Sequence, residues 1–470
     1  MLYILIAVLA IIAVGYFIYK RVHAASAIFA VGVLLLMIAA ATGRVDYTAA
    51  KIEPSGNAFY DELLVIESLF KSRFSGTGMA IMVLFGFVGY MRHIGADAKT
   101  VVVLSRPLQR FHGSYWLVPL GFVVGTLLSL VVPSASALSL LLVATLLPTL
   151  IAAGLSPLTV GAIIVTASTI VPTPLEAGLI QGADLAGMSV TEFVFGSVAK
   201  ATIPALVVTA FVHMWWQWRC DKKDAERALE APLDDATTPA NPDDRVADAM
   251  RRAEGLPGFY ALLPLLPLVL IIASAILNRA GVVSFEADIL PVTVVSLMVT
   301  MIIEAVRRRT INAAVEDLNH FFRGLGEGAG GVVALIVAAA ILVEGITQMG
   351  VIDALTSLAG ESSGGAAIIV LIFVVATGLV AMLTGSGVAP YFAFSEMVPG
   401  LAESSSIHAP QMLTSIWATS NTMRQASPVN AAVLIVAGAL DVNPVEIVRR
   451  TIVPMLAATV VSVVCTFLFV

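Results

Sequence analysis

The sequence predicts an all-α protein that crosses a membrane many times, and three observations carry that prediction. Hydrophobic residues make up 59% of the 470 and charged residues 12%, where soluble domains carry about 25% charged residues. Several apolar stretches run unbroken for roughly 20 residues, enough for a helix to cross the hydrocarbon core. The two halves also carry matching polar breaks inside apolar runs. One pair is Pro133-Ser134-Ala135-Ser136-Ala137 and Thr384-Gly385-Ser386-Gly387-Val388-Ala389-Pro390. Each is followed by another interrupted segment: Ser168-Thr169 through Pro172-Thr173-Pro174-Leu175-Glu176, and Ser420-Asn421-Thr422-Met423-Arg424 with Ser427-Pro428-Val429-Asn430. The expected architecture is two inverted repeats, with about ten spans, two re-entrant hairpins and interrupted helices.

Composition excludes several classes. A net charge of −6 gives no pointer to nucleic acid. Cys220 and Cys465 lie far apart, so neither a disulfide nor a metal site is expected. There is no Cys/His cluster with ligand spacing and no phosphate-binding Walker loop, so neither a cofactor nor ATP-driven work is expected. No span carries a His-Glu-x-x-His pair, which argues against an intramembrane enzyme. The run Met1–Phe17 lacks a basic leader, and Lys20-Arg21 follows it, so it reads as a first span rather than a signal peptide.

Taken in order, residues 1–19 and 25–42 are the first two spans. Residues 43–77 are too polar to cross lipid and read as an external surface arm, with 78–91 as the third span. Residues 114–132 and 137–153 flank the first break, within a hairpin over 114–153. Residues 157–183 form the first broken helix and 191–218 a return span, so the first repeat covers 1–218. Residues 219–255, rich in Asp, Glu, Lys, Arg and Pro, form a cytoplasmic linker. The second repeat, 256–470, runs through spans 257–277 and 287–305, an internal arm 306–325 and a span 326–349. It continues with a hairpin over 365–402, a broken helix 408–440 and a last span 445–469. Loops facing the cytoplasm carry excess Lys and Arg. Placing Lys20-Arg21, 92–110, the linker, Arg307-Arg308-Arg309 and Arg449-Arg450 inside puts both termini outside. The first hairpin then opens to the cytoplasm and the second to the outside.

The halves echo each other in order: Ser136 with Ser386, Pro148 with Pro399, Pro157 with Pro410, Ser168 with Ser420, and Pro204 with Pro454. Broken helices at matching places of inverted halves point to a transport site at the midplane. Unpaired backbone is tolerated at that depth only beside protein or a water-filled cavity. Helix N-termini there would turn N–H donors toward an anion. Ser134, Ser136, Thr384 and Ser386 would add hydroxyls, while Gly385 and Gly387 allow close backbone approach. Arg424 stands out, because a guanidinium in an apolar span faces a partner or a water-filled path. Its planar fork suits a carboxylate; pairing with Glu176 to fix the scaffold is the alternative. For Ser420, Thr422 and the other hydroxyls, helix–helix hydrogen bonding is the alternative. Asn421 and Asn430 could orient a carboxylate or coordinate a cation. Glu176 is the acid near the first interruption and a candidate proton carrier, with Ser168, Thr173 and Asn430 as companion coupling-ion candidates. Glu344 and Glu396 lie near run ends and read as interfacial. The glycines at 324, 326, 328, 330 and 331 read as close helix packing.

At these residues the chain resembles a known family. Gly89-Tyr90-Met91-Arg92-His93-Ile94-Gly95-Ala96, the Pro133-to-Ser136 tip and Thr384-Gly385-Ser386-Gly387 resemble the DcuC family of C4-dicarboxylate carriers. So do Ala389-Pro390-Tyr391-Phe392-Ala393-Phe394, Ala418-Thr419-Ser420-Asn421 and Ser427-Pro428. The pattern departs at Pro174-Leu175-Glu176, where the acid is one carbon longer. The resemblance implies secondary transport of succinate, fumarate and malate across the bacterial inner membrane, proton-linked, by an elevator-type motion in a homodimer. It implies substrate contacts from the hairpin tips, Ser420, Asn421, Thr422 and Arg424, and protons or Na+ as coupling ion; in such a membrane the outside termini expected from the Lys and Arg distribution would be periplasmic. The alternatives are a carrier of another small carboxylate or amino-acid-like solute, and a cation/proton antiporter.

Overall fold

The computed structural model describes residues 2–20, 22–45, 47, 52–105, 114–132, 134–230, 253–360, 364–404 and 407–470. Most of the expected linker and Pro133 of the first tip lie outside them. Among the described residues the secondary structure is helical throughout, without strand. The first half comprises α1 (Leu2–Tyr19), α2 (Ala24–Thr42), α3 (Ala58–Arg73), α4 (Met79–Ile94), α5 (Ala96–Ser105), α6 (Leu117–Ser129), α7 (Ala135–Ala152), α8 (Pro157–Thr166), α9 (Ala177–Leu185), α10 (Val190–Phe193) and α11 (Ala199–Glu230). The second comprises α12 (Leu266–Arg279), α13 (Ile289–Arg308), α14 (Ile311–Glu316), α15 (Leu318–Gly328), α16 (Ala334–Gln348), α17 (Val351–Gly360), α18 (Gly365–Thr384), α19 (Val388–Ser395), α20 (Val398–Ser404), α21 (Ala409–Met423), α22 (Ala431–Leu440) and α23 (Pro444–Phe469).

Nine described helical stretches are long and apolar enough to cross a membrane. They include α7 and α18, one arm of each expected hairpin, while α1 and α8 are shorter apolar helices. Both ends of the first hairpin meet one residue: Tyr115 Oη lies 3.0 Å from Asp221 Oδ2, and Ser156 Oγ donates to Asp221 Oδ1 at 2.7 Å. The two ends of that segment therefore lie close together. Arg450, 1% exposed, reaches Asp221 and Asp224 at 2.6 Å each and ties α23 to the same corner.

The arm over 43–77 departs from expectation. Its helix α3 packs on α2 and α16 rather than lying apart, and meets α4 across a kink at Gly76, where the backbone leaves the helical region (φ −90°, ψ −116°). Asp61 and Glu62 are buried: Asp61 accepts the Ser55 N–H at 2.7 Å, and Gln348 Nε2 stands 3.4 Å from Glu62. Asp61 and Glu62 thus turn inward, while Glu67 and Lys71 of the same helix stay exposed. In the second half α15 runs through a π-type turn, Ala329–Val333, into α16. Single π turns in long helices mark sites where the axis bends.

Glycines set the closest helix contacts. A methyl group at Gly324 would lie 2.5 Å from the Phe85 carbonyl oxygen, and one at Gly32 2.7 Å from Leu342 N. α4 thus seats on α15, and α2 on α16, through small residues, as membrane helices do. Gly328 joins this seam, whereas Gly326, Gly330 and Gly331 face open space, so the packing expectation holds for part of that run. Glu396 is buried rather than interfacial. Cys220 and Cys465 are free and buried.

Candidate functional site

The two interrupted segments build the centre of the molecule. α8 stops at Thr166 and α9 starts at Ala177. Between them Pro172 and Pro174 lack the N–H that a continuing helix needs. Glu176 takes extended backbone angles and caps α9, its Oε2 accepting the Leu179 N–H at 2.8 Å. In the second segment α21 ends at Met423, a 3₁₀ turn covers Arg424–Ala426, and Pro428 keeps the chain open until α22. Asn430 caps α22 through the Ala432 N–H at 2.9 Å. Its amide also donates to the Gly385 carbonyl at 2.8 Å, docking the second hairpin tip onto this break. Gly385 sits at φ 69°, where a side chain is disfavoured. Gly387 packs directly on Arg424, where a methyl would meet Cδ at 2.9 Å.

The breaks brace each other. Arg424 Nη2 donates to the Ser168 carbonyl at 3.1 Å and lies 3.3 Å from its hydroxyl. Gln425 Nε2 donates to the same carbonyl. Trp417 Nε1 donates to Glu176 Oε2 at 2.9 Å. Ser168, Thr169, Thr173, Glu176, Trp417, Asn421 and Arg424 line one cavity of about 90 Å³, together with Ser129, Leu130 and Val131 of the first hairpin tip. Apolar side chains of α4, Leu84 and Phe87 among them, close one side. A second cavity of about 80 Å³ shares Glu176, Val388, Trp417 and Asn421 and adds Gly178, Gly387 and Tyr391. The N-termini of α9 and α19 both reach it, bringing partial positive charge, with the Leu179 N–H taken by Glu176 and the Ala389 N–H by Ser386. Arg424 and Glu176 share the first cavity, and among the described ion pairs none joins them. Arg424 Nε and Thr169 Oγ1 are buried without a partner in the protein.

The other expected site residues lie elsewhere. Ser134 caps α7 through the Ala137 N–H at 3.4 Å and stands 3.2 Å from Ser136 Oγ. Ser386 accepts from the Ala389 N–H at 3.3 Å, and Thr384 Oγ1 donates back to the Val380 carbonyl. By this capping role Ser386 matches Ser134 rather than Ser136. Ser420 Oγ donates to the Trp417 carbonyl at 2.9 Å. Thr422 lies 2.6 Å from Thr459 of α23, inside a helix–helix seam. Sequence reasoning passed over Trp417, Thr169 and Gln425. The signal for Trp417 was present: with Asn421 and Arg424 it stands at i, i+4 and i+7, one face of a helix.

Comparison with known proteins gives the chain's relatives. Residues 2–470 match the family model DcuC, described as a C4-dicarboxylate anaerobic carrier. The chain is 33% identical to the anaerobic C4-dicarboxylate transporter DcuC of Escherichia coli K12, over 99% of this chain and 96% of that one. It is 31% identical to a probable anaerobic C4-dicarboxylate transporter DcuC of Vibrio cholerae, over 100% of this chain and 98% of that one. A putative uncharacterized transporter of Haemophilus influenzae is 30% identical over 44% of this chain and 71% of its own length.

Proposed function

The chain belongs to the DcuC family, a family of transporters and not of enzymes, and from that premise we propose that it carries small C4-dicarboxylates through the cavity at its paired breaks. The observation that carries the reading is the guanidinium of Arg424, held on Ser168 of the other half within a cavity that helix N-termini also approach. A dicarboxylate has two charges about one short carbon chain apart. Arg424 would take one carboxylate through its fork. The N–H groups at the starts of α9 and α19 would take the other. Thr169 Oγ1 and Asn421 supply further polar contacts.

Glu176 is the coupling group in this reading. A dianion cannot enter beside an ionised carboxylate without like-charge cost, so substrate and proton would arrive together. Succinate, fumarate and malate all meet these demands. The carrier sits in the bacterial inner membrane with periplasmic termini. The two halves act as inverted repeats, and the hairpins and broken helices move as one body against a scaffold of α1, α2, α4, α12, α13 and α16 in a homodimer.

The test is uptake of labelled succinate into proteoliposomes under an imposed pH gradient, with wild type beside Arg424→Ala. Saturable, gradient-dependent uptake that is lost in the variant is expected. Wild-type uptake in the variant would remove Arg424 from the site. A folded wild type that takes up no succinate under any gradient would sink the substrate assignment.

A further inference from the structure

α9 runs from the site toward the arm α3 and ends at another cavity. Its first turn, Ala177 and Gly178, lines the site, while Ile180 and Asp184 line a separate cavity of about 320 Å³. The two cavities share no lining residue. Along α9 the two linings come close, Gly178 and Ile180 standing roughly 3 Å apart in rise, so a thin layer of side chains separates them. That layer holds a charge pair drawn from distant parts of the chain. Arg73 Nη2 lies 2.5 Å from Glu396 Oε2, with the Glu396 side chain 3% exposed. Arg73 Nη1 stands 3.7 Å from Asp184, and Gln181 Nε2 donates to Glu396.

The three partners belong to different segments: Arg73 ends α3, Gln181 lies on α9, and Glu396 follows α19. On the hairpin, Tyr391 and Phe392 line the site, and Glu396 comes one turn further out. On the arm, the kink follows Arg73 at once. Gly76 leaves the helical region there (φ −90°, ψ −116°), and Ser75, Gly76 and Thr77 line the outer cavity. A buried ion pair is a weak source of stability, because desolvation offsets its Coulomb gain. Here Arg73 Nε and Gln181 Oε1 are also buried with no partner in the protein, which is poor design for a permanent fastening. A pair of this kind that bridges two segments beside a flexible kink suits a contact that is made and broken.

We propose that Arg73, Glu396 and Gln181 form a gate that shuts the substrate cavity off from the outer cavity in this conformation, and that it opens when Arg73 parts from Glu396 by bending at the Gly76 kink. The proposal rests on the carrier reading above for what passes, and on geometry alone for where the barrier lies. The test introduces V388C, at a position lining the site, into a background with Cys220→Ser and Cys465→Ser. A small membrane-impermeant methanethiosulfonate is applied to each side of oriented vesicles. Arg73→Gln and Glu396→Gln are each expected to raise the modification rate from the α3 side by roughly tenfold, the factor that about 1.4 kcal/mol supplies. The rate from the other side stays unchanged. The charge-reversed pair, Arg73→Glu with Glu396→Arg, returns the rate toward that of the parent. Unchanged rates in both single variants, or a reversed pair as reactive as the singles, would overturn the gate. Where Glu396→Gln fails to fold by gel filtration, Glu396→Asp keeps the charge, shortens its reach and is expected to raise the rate as well. Succinate protection of V388C separates the two readings. Gate variants that change the rate without any succinate protection would leave the gate standing and remove the substrate assignment.

Discussion

Gly385→Ala should disable transport while leaving most of the fold in place. Two costs combine at this position. The backbone sits at φ 69°, and an L side chain in the left-handed region costs roughly 1–2 kcal/mol. The added methyl would lie 2.7 Å from Asn430 N, 2.8 Å from its Cα and 2.9 Å from the Val429 carbonyl carbon. Carbon contacts are comfortable at about 3.5–4.0 Å, and all three neighbours are backbone, so no side chain can swing aside. Overpacking of this kind costs roughly 1–3 kcal/mol. The sum, about 2–5 kcal/mol, falls on the docking of the second hairpin tip, where the Asn430 amide holds the Gly385 carbonyl. Since about 1.4 kcal/mol is tenfold in a population, initial uptake of labelled succinate should fall at least tenfold, with a smaller change in the melting temperature of the detergent-solubilised protein. Gly385→Asn separates the two costs, because asparagine tolerates the left-handed region but adds the same Cβ. Equal impairment in both variants assigns the loss to overlap. Wild-type uptake and melting in Gly385→Ala would refute the docking of tip on break.

Other variants test other joints. Arg424→Lys keeps the charge but loses the fork, so the concentration for half-maximal exchange should rise roughly tenfold or more, the worth of one charge-assisted hydrogen bond at about 1.5–3 kcal/mol; unchanged exchange kinetics would contradict it. Arg450→Met takes the guanidinium from Asp221 while Asp224 keeps Arg449, and should destabilise by about 3–5 kcal/mol, read as a lower melting temperature that Asp221→Asn partly restores. Gly324→Ala should lower the melting temperature because its methyl meets the Phe85 carbonyl at 2.5 Å, whereas Gly326→Ala, with nothing within 4 Å, should not.

The fold class was legible because lipid leaves few choices: runs of apolar residues must be helices, and Pro-Thr-Pro or Ser-Pro inside such a run must break them. Glu176 and Arg424 were legible for the same reason, as charges that an apolar span does not carry without cause. What each hydroxyl does was not legible. Ser420 and Thr422 differ from Ser168 in no local respect, yet they bond along their own helix or to Thr459, while Ser168 faces Arg424. That outcome depends on which face of α21 meets α23, a tertiary fact. Glu396 misled because nearness to the end of an apolar run says nothing of an arginine more than three hundred residues away. The arm over 43–77 was legible only in part, because amphipathic polarity does not tell that Asp61 and Glu62 turn inward while Glu67 and Lys71 stay exposed.

The inverted-repeat reading gives the site its logic, and the two caps show how. Glu176 starts α9 and Asn430 starts α22, each by accepting N–H groups of the helix it precedes. Were the halves chemically alike, these positions would carry the same side chain and the centre would carry the same charge twice. Instead one cap is a carboxylate and the other a neutral amide, and the arginine stands on the amide's side, seven residues after Trp417. The bracing then crosses between halves: Trp417 reaches back to Glu176 and Arg424 to Ser168. Each broken helix is therefore held open by groups from the other, and neither can straighten without releasing its partner. A cavity made in this way exists only while both breaks are engaged. Glu176 and Arg424 must then travel together if the site is to cross the membrane, which is the condition a carrier has to meet and a fixed pore does not.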